Sequence, residues 1–316
     1  MQPCVGIDLG KATLVVAFSS QGPVQEFPNT PRGIRELVKA LKAFPHRLCI
    51  VEAGSYLRPL VTALHEAALL LRVEDPRRIN HFIRADGQRA KTDAIDAKMI
   101  ALFGETMNPQ AQLPPSKALR PVAELETRIR QYTSMIGAEK MRREQLAIPL
   151  RKEAGVFIRL LENRCKRLYK KADALIAKDP ELTLRRELLC SRVAIKERTS
   201  LALLCNLDEL GRLPEKQVSA LAGVAPLDNQ SGKRRRGSHI GGGREAARRA
   251  LFMVALVAKQ CDPEIAEFAK RLSDKGKPKL VVNTAVMHKI LRQMNAVLRR
   301  GTPWQARTPE VKSVAQ

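Results

Sequence analysis

Short runs of buried-strand character alternate with segments of helical period through the first hundred residues. That alternation confines this part of the chain to a layered α/β architecture. Residues 4–8 and 14–18 are β-rich runs joined through Gly10-Lys11, which reads as a hairpin turn. Val24 to Phe27 reads as a third strand. Residues 31–43 place Ile34, Leu37, Val38 and Leu41 on one helical face, and Pro45 ends the segment. Residues 48–51 read as another buried strand, 55–68 as a helix, 71–73 as a last strand before Pro76, and 93–103 as a helix.

Strand, hairpin strand, third strand, helix, strand, helix is the order of an RNase H-like fold, although periodicity alone does not single it out. Pro114-Pro115 marks a boundary. From residue 116 to about 178, apolar residues recur at helical spacing among many charges. Two readings fit: a pair of long helices forming an antiparallel hairpin or coiled-coil arm, and an ordinary helical subdomain. Residues 187–210 read as helical, 213–222 begin a compact unit, and 223–243 are loop-rich and basic. Helices follow at 244–259, 263–272 and 283–299, and the polar tail past Trp304 is expected to fray. The expected layout is α/β followed by α. An RNase H-like, RuvC-like domain occupies 1–113, a helical coiled-coil segment 114–185, a mainly helical domain 186–304 and a tail 305–316.

The net charge is +24, and it is uneven. Up to Gln110 there are 14 basic and 11 acidic residues; the remainder holds 42 basic against 21 acidic. Such a field attracts a polyanion and releases its counterions, so nucleic acid is the expected partner. A membrane surface is the competing partner, but no lipidation motif or basic amphipathic anchor favours it. The apolar stretch at 60–73 is broken by His65, Glu66 and Arg72, so no membrane span is expected. Aromatic residues make up only 4%, which weighs against a surface of many stacking platforms. The six cysteines form no Cys-x-x-Cys pair and read as buried, reduced thiols; with no signal peptide at the start, a cytoplasmic, nucleoid-associated location is expected.

Four acids stand at awkward positions. Asp8 closes the first strand and Glu52 the strand 48–51, while Asp93 and Asp96 lie three apart on one helical face. An acid closing a buried strand is costly unless something cationic meets it. Four converging carboxylates repel and need divalent metal, for which hard oxygen ligands suit Mg2+. Two such ions clamp the attacking and leaving oxygens of a phosphodiester. The plainer reading stands beside this one: a strand-end Asp is often a cap, and Asp-x-x-Asp on a helix is usually a solvated face.

The words around these acids carry more. Val5-Gly6-Ile7-Asp8, Val51-Glu52-Ala53-Gly54 and Ala90-Lys91-Thr92-Asp93-Ala94-Ile95-Asp96-Ala97 resemble the IS110-type transposases, as does Asp75-Pro76-Arg77-Arg78 with Phe82 and Ala85. The later half resembles the same family independently. Its words are 221–226 (Leu-Ala-Gly-Val-Ala-Pro), 230–233 (Gln-Ser-Gly-Lys), 241–244 (Gly-Gly-Gly-Arg) and 248–251 (Arg-Arg-Ala-Leu). The resemblance implies that Asp8, Glu52, Asp93 and Asp96 hold metal and that Ser231 attacks DNA to form a phosphoserine link. It further implies a structured, element-encoded guide RNA pairing with donor and target DNA, and a homo-oligomer, dimer or tetramer, whose protomers complete each other's sites. Two departures stand out. Residues 52–56 (Glu-Ala-Gly-Ser-Tyr) are one residue shorter than the family's word, and 193–196 (Val-Ala-Ile-Lys) lack its Pro-Gly-Ile-Gly turn.

Around Ser231 the chemistry is suggestive in its own right. Gly232 gives an open backbone, and Lys233, Arg234, Arg235 and Arg236 follow at once, able to neutralise a phosphate and the charge developing on it. Arg244, Arg248 and Arg249 come next, and guanidinium suits bidentate phosphate contact. A serine hydroxyl needs activation, and His239 in its loop position is a poor candidate, which leaves metal held by the carboxylates. Taken alone, the basic run is a nucleic-acid contact patch. Three functions follow: a guided DNA recombinase using metal and serine, a RuvC-like structure-selective nuclease using water, or an inactive nucleic-acid-binding protein. A covalent protein–DNA adduct separates the first two, and any metal-dependent cleavage excludes the third.

Overall fold

The computed structural model describes residues 3–88, 90, 92–114, 116–231 and 234–305, and the side chains of 228–238 stand outside that description. Two compact units are formed, Met1–Pro114 and Pro115–Gln316. The first unit runs β1 (Cys4–Leu9), β2 (Thr13–Ala17), β3 (Val24–Pro28), α1 (Pro31–Ala43), β4 (Leu48–Glu52), α2 (Leu57–Glu66), β5 (Leu71–Glu74), α3 (Pro76–Ala85) and α4 (Asp93–Met107). Its sheet order is β3-β2-β1-β4-β5. The first three strands are antiparallel neighbours, and β4 and β5 continue parallel to β1. This is the mixed sheet of an RNase H-like fold.

Both faces of the sheet are covered, which explains why its strands read as unbroken apolar runs. Val5, Ile7, Cys49 and Val51 pack on α1 and α2 through Ile34, Leu37, Leu41, Leu60 and Leu64. Cys4, Leu48 and Ile50 turn the other way, onto Ile100 and Phe103 of α4 and Ile79 of α3. Helix α3 is absent from the sequence reading, which stops at Pro76. Asp75 caps it by accepting from the Arg77 amide at 2.8 Å, and Pro76 occupies its first turn. The signal was present in the sequence: Asp75-Pro76 marks a helix start, and Ile79, Phe82 and Ile83 recur at helical spacing, Ile79 buried and the other two packed partly buried beside it.

In the second unit α5 (Leu119–Gln145) and α6 (Ile148–Ile176) form an antiparallel hairpin. Lys140 reaches Glu162 at 3.0 Å, and nearer its base Leu119, Val122 and Ile129 join Ala172 and Ile176 in the unit's core. There follow α7 (Pro180–Cys190), α8 (Glu197–Asn206), α9 (Glu215–Leu221), β6 (Pro226–Ser231), β7 (Arg234–Ile240), α10 (Glu245–Cys261), α11 (Pro263–Asp274) and α12 (Lys279–Arg300).

Three expectations are corrected here. The helix read over 187–210 is two helices, interrupted at 191–196, where Ala194 takes the left-handed conformation (φ 76°). The stretch read as loop at 223–243 holds an antiparallel ribbon of β6 and β7. A two-stranded ribbon need bury no face, and Leu227 is 46% exposed, so the sequence carries no period-two signal. The thiols are unpaired as expected, but Cys261 is exposed while Cys4, Cys49 and Cys165 are buried. Among the described residues no helix is long and apolar enough to cross a membrane.

Candidate active site

Parallel register brings the strand-end acids together. Ile7 pairs with Val51, so Asp8 and Glu52 come next on adjacent strands and point to the same side. The alternation fixes which side. Cys4 on β1 and Ile50 on β4 face α4, and two-residue periodicity carries Asp8 and Glu52 to that face too. Helix α4 runs antiparallel to β1: Gly104 lies against Cys4, and Ala97 and Ala101 lie against Gly6. One turn further toward its start comes Asp93, above the Asp8 end of the strand. Gly6 permits this approach, because a Cβ there would collide with the Ala97 carbonyl oxygen and the Ala101 nitrogen.

Helix α4 begins at this spot for a local reason. The Thr92 hydroxyl accepts from the Ile95 amide at 3.2 Å, and Asp93 and Asp96 sit in the first turn, where the helix dipole favours negative charge. Glu52 and Asp96 line one cavity of about 190 Å³, walled by Ile79, Asn80, Ile83 and Arg84 of α3. Asp93 is exposed. As the side chains stand, no three His, Cys, Asp or Glu among the described residues form a group able to hold a metal ion. The donor set still has the right chemistry for a hard divalent cation, since every candidate is a carboxylate at one end of one face.

Sequence reasoning missed two neighbours of this site. Glu74 ends β5 and is the register partner of Glu52. It is buried and held by Arg72 at 3.2 Å and Arg78 at 3.1 Å. A third strand-end acid followed four residues later by Arg was the available signal. Arg84 also lines the cavity, and it was missed because α3 went unread although its cap and apolar spacing were available.

In the second unit Ser231 is the last residue of β6, paired in register with Arg234. Lys233 lies outside the described residues, as do the side chains of Ser231, Arg234, Arg235 and Arg236. The base of the ribbon is a close backbone contact. Gly223 and Gly243 both have positive φ (65° and 67°), and a Cβ on Gly243 would strike the Gly223 backbone. The Arg244 amide donates to the Leu221 carbonyl at 2.7 Å. Arg244 caps α10 instead of lying within it, and its guanidinium makes a bidentate pair with Glu209, both contacts at 2.6 Å. Arg248 donates to the Gly242 carbonyl at 2.6 Å, and Arg249 pairs with Glu245 on the surface. Arg244 and Arg248 thus brace the ribbon.

The two halves of the chain match two models of one family. A model of DEDD-type IS110 transposases, described as transposase, covers residues 5–147, and the transposase IS116/IS110/IS902 family model covers 186–270. The chain belongs to the IS110 family of transposases. As a member it is a transposase, an enzyme that acts on DNA. Relatives include the pilin gene-inverting proteins of Moraxella bovis and Moraxella lacunata. Each is 29% identical over 322 residues, covering 97% of this transposase and 98% of the relative. Similar solved structures include Thermus thermophilus RuvC (TM-score 0.27, 16% identity, 35% of this chain and 99% of that one). Another is the same organism's RuvC with a Holliday junction substrate (TM-score 0.28, 13% identity, 35% and 100%).

Proposed function

We propose that this transposase cuts and rejoins DNA with a Mg2+ site built from Asp8, Glu52, Asp93 and Asp96 and with Ser231 as nucleophile. The observation that carries the reading is the register of Asp8 beside Glu52 beneath the first turn of α4. Apposed carboxylates repel, and a cation between them turns that repulsion into binding. Bound Mg2+ would supply Lewis-acid polarisation of the phosphate oxygens and ease loss of the serine proton.

In the attack, the Ser231 oxygen forms a bond to phosphorus and gives up its proton. The bond from phosphorus to one bridging nucleotide oxygen breaks, and that strand leaves as an alcohol. Attack by another strand's hydroxyl on the phosphoserine reverses the step and rejoins the DNA. The chemistry requires hydroxyl and carboxylates to act on one phosphodiester, and the family resemblance supports their being supplied by different protomers of a dimer or tetramer. The same resemblance, with the charge beyond Gln110, supports a structured guide RNA beside donor and target DNA, all within the cytoplasm.

A nicked substrate tests the proposal by trapping the conjugate. A denaturant-resistant protein–DNA adduct is expected with Mg2+, and Ser231→Ala should abolish both adduct and strand exchange. Asp8→Asn should abolish exchange at nearly unchanged DNA affinity, because it removes no positive charge. Mg2+-dependent cutting by Ser231→Ala with no adduct would make water the nucleophile, and normal exchange by Asp8→Asn would remove the metal site.

A further inference from the structure

A second cavity, of about 660 Å³, opens in the Pro115–Gln316 unit among α9, α11, α12 and the residues that follow α12. Trp304, the protein's single tryptophan, lines it. The Trp304 amide donates to the Ser191 hydroxyl at 2.8 Å. The Arg192 guanidinium lies 4.8 Å from the ring centroid, and Arg192 is only 1% exposed, fixed by Asp262 and by Gln293 at 3.2 Å. The indole is therefore backed by an immobile cation and presented to the cavity. Phe268 lines another wall, with Lys289 at 4.6 Å and Arg271 at 5.6 Å from its centroid.

The charge around these rings is not balanced. Glu215 and Glu264 are the acids of the lining, and each is already taken, by Arg292 at 2.6 Å and Lys289 at 2.9 Å. Arg271 and Arg300 also line the cavity, and no carboxylate pairs with either among the described residues. Burial and the neighbouring Arg292 hold His288 below the usual imidazole value, against the opposing pull of Glu215. That favours a neutral ring able to donate and accept hydrogen bonds. Cations with spare valence next to cation-backed aromatic faces suit a ligand that is anionic at one end and flat and aromatic at the other.

We propose that this cavity receives one unstacked nucleotide of a single strand, its base against Trp304 and its phosphate on Arg271 and Arg300. Single strands are held in this way, by stacking and by guanidinium contact to the backbone. The volume falls within the range of small-ligand sites. The inference is independent of the carboxylates and of Ser231, and both DNA and RNA carry the required chemistry.

Trp304 emission reports on this site alone. The full-length protein is titrated with short oligodeoxythymidine, oligouridine and an abasic strand of equal length, with anisotropy recorded in parallel. Base-bearing strands should quench Trp304, and the abasic strand should bind without quenching. The DNA and RNA arms identify which strand the site prefers. The double variant Arg271→Glu, Arg300→Glu should lose the quench and weaken binding of these short strands by roughly tenfold or more. Circular dichroism checks its fold, and the single variant Arg300→Ala, with a smaller loss, serves if the double variant misfolds. Binding with no change in Trp304 emission, equal quenching by the abasic strand, or quenching by inorganic phosphate alone would overturn the proposal.

Discussion

Glu52 and Glu74 are register partners on the parallel strands β4 and β5, and the fold treats them differently. Glu74, 4% exposed, is clasped by Arg72 and Arg78, and one of its oxygens also accepts from the Asp75 amide at 3.2 Å. Glu52 instead lines the cavity it shares with Asp96. Two acids with the same strand-end signature are thus divided into a structural one and a candidate ligand. Arg78 lies over the Phe103 ring at 5.1 Å, so the Glu74 pairing ties α3 to α4 as well as to the sheet.

Replacing Glu74 with Gln should therefore lower the stability of the first unit, by about 1–3 kcal/mol, because two guanidinium groups lose a buried charged acceptor. Urea unfolding measures this. Strand exchange should fall as α3 loosens, while Arg78→Lys, which retains the charge, should lose less of both. A Glu74→Gln protein of unchanged stability would show the pairing to be incidental.

Gly6→Ala tests the close seating of α4. The added methyl meets the Ala97 carbonyl and the Ala101 nitrogen, neither of which is the end of a flexible side chain. A cost of about 1–3 kcal/mol is expected from overpacking. Activity should fall more than stability accounts for, since the displaced turn carries Asp93 and Asp96. Full exchange activity at 25 °C in a folded Gly6→Ala protein would separate the site from the helix seating.

Nucleic-acid affinity should fall steeply with salt. Each neutralised phosphate contributes about 0.9 to the slope of log K against log salt on duplex DNA, so six or more contacts cost about a thousandfold between 50 and 200 mM. The two units have separate cores, so the comparison is made on each expressed by itself, with circular dichroism checking that it folds. Pro115–Gln316, which carries nearly all the excess charge, should retain most of the affinity, and Met1–Pro114 little. Fluorescence anisotropy at graded salt makes the comparison, and salt-insensitive binding by the smaller unit would contradict it.

Thiol labelling at pH 8 should be selective. Burial, with Cys4 beside it, pushes the Cys49 thiol up to about 12, so it stays protonated and shielded. Burial raises Cys4, Cys165 and Cys205 as well. Cys261 is exposed and should react first, with Cys49 labelled only on unfolding. Mass spectrometry of a timed reaction with iodoacetamide gives the order, and early modification of Cys49 would refute the packing of β4.

Much of this protein is local in origin and so legible in the chain. The apolar runs of β1, β2 and β4 announce a sheet buried on both faces. Thr92, Asp93 and Asp96 form a helix start with its cap and first-turn acids adjacent in sequence, and Pro31 and Pro263 mark helix starts in the same way. The family words around Asp8, Glu52, Asp93 and Ser231 are contiguous and need no structure to be seen. Only tertiary structure decided what depends on partners far apart in the chain. Glu74 is structural because Arg72 and Arg78 close on it inside the packed sheet edge. Arg244, read as a phosphate contact, is committed to Glu209, thirty-five residues away. The β6–β7 ribbon leaves no periodic trace because it need bury no face of its own, and its base depends on Gly223 meeting Gly243. Hydrophobic period and capping are written in neighbouring residues, whereas charge pairing and backbone contact are fixed only when the chain has folded.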